Sequence, residues 1–175
     1  MEQNMEVKKP RLGTRILGDI IMILVAILTG VAISKFVIFR ATVDGESMEP
    51  TYHHGEVCMA LTTGCVDLFG DGIQYGDVVI VRNETCSTGY LIKRVVGTPG
   101  DTIYIRDSIV YINDIALEED YIDSKEFKAG VASEPIKLGI NEYFVMGDNR
   151  SVSRDSRTFG VVSKSQIMGV VVGDK

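Results

Sequence analysis

Hydrophobic and polar positions divide the chain into two unlike parts. From Ile16 to Phe39 apolar residues run with few interruptions, and the centre from Ile20 to Ser34 carries no charge. At about 1.5 Å per residue, the whole run can cross a bilayer core of about 30 Å if Asp19 and Lys35 sit near the two interfaces. One transmembrane helix is therefore expected over 16–39. Lys8, Lys9, Arg11 and Arg15 lie before it. Basic residues stay on the cytoplasmic side of a span, so residues 1–15 are expected to form a cytoplasmic tail and residues 40–175 an extracytoplasmic domain. The run is longer than a usual signal-peptide core, and no convincing small-x-small cleavage site follows it before Arg40. It reads as an uncleaved signal-anchor.

After Arg40 the pattern changes to short runs rich in Val, Ile and Tyr, separated by Gly, Asp and Asn, which is the signature of strands and tight turns. Strands are expected at 77–82, 90–96, 102–106, 109–113, 143–146 and 168–172. The segment TIYIRDSIVYIN at 102–113 reads as a hairpin turning at Asp107 and Ser108. Residues 116–135 are polar, acidic and without period, so a surface excursion with at most a short helix is expected there. The body is thus a small, mainly β domain of antiparallel sheets.

Composition narrows the classes. At 175 residues, the chain has room for one anchor and one compact domain. A formal charge of -6 argues against a nucleic-acid partner, because phosphate binding needs a basic face. Cys58, Cys65 and Cys86 form no CxxC pair and, being three, cannot all pair within the chain; small buried thiols are expected rather than a disulfide. Neither a metal nor a cofactor is expected. The segment DLFGDG at 67–72 lacks ligand residues where a calcium loop needs them, with Phe69 third and Val78 twelfth.

Three segments combine reactive side chains with turn residues: DGESMEPTYHHGE at 44–56, LIKRVVGTPGD at 91–101 and GDNRSVSRDSRTFG at 147–160. Ser47 follows Gly45 and precedes Pro50, so a constrained backbone presents its hydroxyl. A serine is a weak nucleophile until a base takes its proton. His53 and His54 are the only histidines, and from so close in sequence an imidazole would have to fold back sharply to reach Ser47. No Ser-x-x-Lys motif starts at Ser47, because Pro50 stands where the lysine would be. Lys93 interrupts an otherwise apolar strand. Period-2 alternation places it on a face with Leu91 and Val95 and turns Arg94 toward water. Burial of an ammonium among apolar residues lowers its pKa toward neutrality and fits it to act as a base. The dense Asp and Arg residues of the third segment suggest internal ion pairs that hold that loop rigid.

In this order the segments resemble the type I signal peptidase family: SMEPT at 47–51, YGDVVIV at 75–81, KRVVGTPGD at 93–101 and GDNRSVSRDSR at 147–157. The resemblance runs from the anchor nearly to the end of the chain. It implies a signal-peptidase/LexA-like β fold and a membrane-bound serine endopeptidase that removes signal peptides from exported preproteins. Ser47 would be the nucleophile, Lys93 the general base, Ser153 the hydroxyl that orients the amine, and Asp148, Asp155 and Arg157 the braces of the loop. The backbone N–H of Ser47 would be one oxyanion donor. Gly45 departs from relatives with a second donor serine there, and Tyr52 stands where leucine is common. The expected partners are signal-peptide-bearing preproteins and the lipid bilayer, and the expected location is the cell membrane, single-pass. LexA-like self-cleaving repressors share the Ser-Lys pair, but the expected span and the missing DNA-binding region argue against them. A catalytically inactive, membrane-tethered binding module is the alternative, against which the intact Ser47 and Lys93 weigh.

Overall fold

The protein is seen here in a computed structural model that describes residues 12–122 and 126–173. It divides into two units, one ending at Phe36 and the other beginning at Val37. The first holds most of helix α1 (Leu12–Val37), whose side chains from Ile16 to Val31 are exposed throughout. Among the described residues, no helix is long and apolar enough to cross a membrane, so the span expected over 16–39 is not established by the structure. Its expected end also shifts, because Ile38 and Phe39 already belong to strand β1 (Ile38–Thr42).

The second unit is built from β1, β2 (Val57–Thr62), helix α2 (Thr63–Phe69), β3 (Val78–Arg82), β4 (Tyr90–Gly97), β5 (Thr102–Arg106), β6 (Ile109–Ile112), β7 (Ile115–Ala116), β8 (Ile136–Lys137), β9 (Glu142–Met146), the short helix α3 (Ser156–Phe159), β10 (Val162–Ser163) and β11 (Ile167–Val172). The strands form two sheets, ordered β1-β2-β11-β3-β4-β9-β10 and β7-β6-β5-β8, with antiparallel pairing throughout. The expected mainly β body of antiparallel sheets is what forms. All six expected strands are present within a residue or two of their predicted bounds.

Local chemistry explains the smaller sheet. Arg106 pairs with Ile109, and the two residues between them, Asp107 and Ser108, have φ of 51° and 60°, the doubly positive backbone of a type I′ hairpin. Asn113 and Asp114 repeat the device at 51° and 68° and turn β6 into β7. The two sheets share a core in which Val96, Phe144 and Met146 of the larger one meet Ile103, Ile105 and Val110 of the smaller.

The described residues of 116–135 run largely along the surface with one short helix, Gly130–Ser133, as expected, but several of them are anchored in the body. Leu117, Phe127, Ala129 and Ala132 pack against that shared core, and Glu119 and Tyr121 between them have the buried partners described below. Alternating polar and apolar residues without a helix or strand period gave no sign of this, because an irregular segment can bury side chains at any spacing.

Ile103 is fully buried in the core joining the two sheets. Ile103→Ala is therefore expected to cost about 2–5 kcal/mol, measured as the loss of unfolding free energy in urea. A change below about 0.5 kcal/mol would show that the sheets do not depend on this contact.

Candidate active site

Strand β4 supplies the central residue. It lies between β3 and β9 in the larger sheet, and six successive residues from Ile92 to Gly97 are buried. Both faces are covered, so alternation offers no wet side. Lys93 is 1% exposed. Its Nζ donates to Ser47 Oγ at 2.6 Å and to the Ile92 carbonyl at 2.7 Å. Burial pulls its pKa from 10.5 down to about 8, although nearby Asp155 favours the charged form. That difference amounts to roughly 3 kcal/mol of destabilised ammonium at about 1.36 kcal/mol per unit. Its sign is fixed: between pH 8 and 10.5 the unfolded chain binds the proton more readily, so this cost of folding fades as pH rises through that window.

Arg94 does not point to water, as alternation alone predicts. It is 9% exposed and grips Asp148 with Nε at 2.8 Å and Nη2 at 2.6 Å. Its Nη1 donates to the Gly76 carbonyl, and its guanidinium stacks 4.2 Å from the centre of the Tyr121 ring. Thr51 donates its hydroxyl to the same Asp148 carboxylate at 2.5 Å. One carboxylate thus ties together three regions: the segment carrying Ser47, the strand carrying Lys93 and the loop beginning at Gly147. A neutralised, bidentate pair is the arrangement in which a buried guanidinium is tolerated.

The loop after β9 has two further arginine clamps. Arg157 donates Nε and Nη2 to Asp155, which also accepts the Gly147 N–H at 3.0 Å. Burial alone would raise the Asp155 pKa, but the Arg157 hydrogen bonds and charge outweigh it and the pKa falls below 3.8. Arg150, fully buried, donates both terminal nitrogens to Glu119 and its Nε to the Gly147 carbonyl. Its guanidinium also lies 5.2 Å from the centre of the Phe127 ring. The residues that sequence reasoning missed are therefore Arg94, Arg150, Glu119 and Tyr121. The adjacency of Arg94 to Lys93 and the charge density around Arg150 were the visible signals; Glu119 and Tyr121 sit in a segment without period.

The loop reaches Ser47 through the backbone. Asn149 N donates to the Ser47 carbonyl at 3.1 Å, and Gly147 lies so close that a Cβ there would come within 2.4 Å of that carbonyl and 2.3 Å of Ser153 Oγ. Ser153 Oγ is buried and makes no hydrogen bond among the described residues, although its hydroxyl sits near enough to Asp155 to favour the ionised carboxylate. The expected Ser153 to Lys93 hydrogen bond is not formed in this arrangement. Both histidines lie on the exposed turn: His53 faces Glu49, while His54 Nδ1 accepts the Gly45 N–H at 2.9 Å. Neither bonds Ser47. Gly45 has φ of 92°, a conformation that a serine would adopt only with strain. All three cysteines are free, and only Cys58 is fully buried.

Two hollows open beside the pair, and Ser47, Leu91 and Lys93 line both. The smaller, about 150 Å³, is walled by Val43, Met48, Cys86 and Ile92. The larger, about 530 Å³, extends to Gly45, Val152 and Arg154. A buried amine within hydrogen-bond distance of a hydroxyl, at the junction of two clefts, can take up and return a proton beside an extended chain.

Comparison with known proteins finds relatives of the chain as a whole. The profile described as "Signal peptidase, peptidase S26" matches residues 16–173. Signal peptidase I T of Bacillus subtilis is 36% identical over 84% of this chain and 78% of its own length. Signal peptidase IB of Staphylococcus aureus is 32% identical over 89% of this chain and 87% of its own length. A crystal structure of a signal peptidase I from Enterococcus faecalis is 30% identical, with a TM-score of 0.49 over 58% of this chain and 98% of that one.

Removing the carboxylate from the Arg94 clamp leaves a buried guanidinium without its countercharge. Asp148→Ala is expected to cost about 3–5 kcal/mol of stability, read from urea unfolding at neutral pH. Replacement at no cost would mean that Arg94 finds another anion or reaches water.

Proposed function

The chain belongs to the signal peptidase family, peptidase S26, and is a serine endopeptidase; we propose that it cleaves N-terminal signal peptides from exported preproteins with Ser47 as nucleophile and Lys93 as general base. The observation that carries the proposal is the 2.6 Å contact between Lys93 Nζ and Ser47 Oγ, made by a lysine whose burial brings its pKa to about 8. As a free amine, Lys93 gives one hydrogen to the Ile92 carbonyl and turns its lone pair to the Ser47 hydroxyl. It takes that proton as Oγ attacks the carbonyl carbon of the last signal-peptide residue. The protonated amine then donates to the leaving nitrogen, and the regenerated base activates water to release the acyl group. The Ser47 N–H supplies one oxyanion donor. Asp148, Asp155 and Arg157 hold the loop against the Ser47 carbonyl, and Ser153 of the same loop is assigned as the hydroxyl that orients the amine. The small hollow beside Ser47 suits a short side chain such as alanine.

The proposed setting is a membrane. Residues 1–15 form the cytoplasmic tail, 16–39 carry the anchor and 40–175 form the extracytoplasmic catalytic domain, on a fold of the signal-peptidase/LexA-like kind. Support comes from the exposed apolar side chains of α1, which have no core of their own and need apolar surroundings, and from the basic residues that precede them. An inactive binding module has no observation in its favour.

Ser47→Ala and Lys93→Ala are each expected to abolish preprotein cleavage while the chain stays folded, and Lys93→Arg to fail equally, because a guanidinium keeps its proton. For the native chain, kcat/KM for a short signal-peptide substrate should rise with pH through a single titration near 8, since the share of free amine grows through that range. A rate that falls between about pH 6 and 8 would exclude Lys93 as the base.

The topology has its own test. Protease added to intact spheroplasts is expected to digest an epitope placed after Val172 and to spare one at the N-terminus. The opposite pattern would reverse the assignment.

A further inference from the structure

Ser47 sits in a turn that is closed at its base and fastened once more close to the nucleophile. The Val43 N–H donates to the Glu56 carbonyl and the Gly55 N–H to the Val43 carbonyl, each at 2.8 Å. This closure brings His54 back beside Gly45, and His54 Nδ1 accepts the Gly45 N–H at 2.9 Å. A ring nitrogen that accepts carries no proton, so the neutral imidazole holds its hydrogen on Nε2. The same side chain lines the larger hollow, together with Ser47, Leu91 and Lys93.

The backbone around Ser47 is firm on one side and soft on the other. After it, Met48 is fully buried, the Ser47 carbonyl takes the Asn149 N–H at 3.1 Å, and the Tyr52 N–H donates to the Met48 carbonyl at 2.9 Å. The Ser47 N–H shares its peptide plane with the Glu46 carbonyl, which accepts the Glu49 N–H at 3.2 Å. The other hinge of that plane leads back to Gly45. Its φ of 92° is a state that a glycine enters and leaves freely, and a Cβ built there would meet nothing within 4 Å among the described residues. Packing therefore does not hold Gly45. The Ser87 hydroxyl ties the preceding Asp44 only by its side chain, at 3.0 Å, whereas the His54 bond grips the Gly45 backbone itself.

We propose that His54 is a positioning residue for the reaction: by accepting the Gly45 N–H, it fixes the backbone that aims the Ser47 N–H at the developing oxyanion. The proposal rests on reading Ser47 as the nucleophile. Gly45 has no hydroxyl with which to add a second donor, so the direction of the Ser47 N–H counts for more, and a donor aimed at the oxyanion acts chiefly in the transition state. A substrate lying in the larger hollow covers the imidazole and keeps water from competing for the Gly45 N–H.

The His54 side chain is exposed, so its variants are expected to unfold in urea as the native chain does. His54→Ala removes the acceptor, while His54→Asn keeps one, because an amide oxygen takes the place of Nδ1 at the same reach from the backbone. In full-length protein acting on a short signal-peptide substrate, His54→Ala is expected to lower kcat about fivefold to tenfold and to leave KM within about twofold. His54→Asn is expected to bring kcat back to within about twofold of native. His53→Ala, whose ring faces Glu49 and not Gly45, is the control and is expected to match the native chain. Native kcat in His54→Ala would overturn the proposal. So would an alanine defect that asparagine does not relieve, since His54 would then act through Nε2 or through its bulk. Ser47→Ala, measured alongside, separates the two readings: if it cleaves like the native chain, the nucleophile falls and His54 with it, and if it is inactive, a failed His54 result overturns the positioning role alone.

Discussion

The burial of one ammonium group governs the larger sheet. Lys93 lies on a strand with neighbours on both edges and covered faces, so its charge is largely cut off from water, and the whole domain must carry that cost. The same burial is what lowers its pKa to about 8. Stability and reactivity are therefore set against each other at one side chain: a wetter position would relieve the cost on folding and reduce the share of free amine available near pH 8. A lysine is also the residue that makes this exchange workable, because its amine can shed a proton in a range that a guanidinium never reaches.

Around Lys93 the remaining buried charges are compensated with unusual completeness. Arg94 holds Asp148, Arg157 holds Asp155 and Arg150 holds Glu119. Each pair contributes little net stability against an apolar replacement, since desolvation consumes most of the attraction. What the pairs supply is position. Their hydrogen bonds reach Gly76, Thr51, the Gly147 N–H and the Gly147 carbonyl, so a loop that is irregular up to the short helix α3 is held at fixed points. That loop then meets the Ser47 carbonyl through Asn149. Between Ser47 O and Ser153 Oγ there is room for a glycine and nothing larger.

The segment from Leu117 to Ala132 shows why such a network escapes a reading of periodicity. Glu119, Tyr121 and Phe127 reach Arg150 and Arg94 from a stretch that has no strand or helix spacing. A regular spacing of apolar residues reveals the buried face of a helix or a strand, and an irregular strap has no such face. The strands β1 and β2 were likewise obscured. β1 follows directly on a long apolar run, and its start is decided by pairing with Leu61 rather than by any change in composition.

What the sequence by itself determined is local and repetitive. Alternation and turn chemistry marked six strands and the Asp107–Ser108 hairpin, and the reactive residues stood out because serine, lysine and clustered Asp and Arg interrupted otherwise regular patterns. Ser47 and Lys93 were named from such interruptions and from a family resemblance. Their separation of 46 residues along the chain gives no distance; only the folded sheet brings the hydroxyl and the amine to 2.6 Å. The tertiary structure likewise decided the fate of Arg94. A two-residue period says that neighbours on a strand face opposite ways, but whether the second face meets water depends on what packs there. Here it meets Asp148 and Tyr121, residues 54 and 27 positions away, because burial and charge compensation are properties of the assembled surroundings and not of the strand.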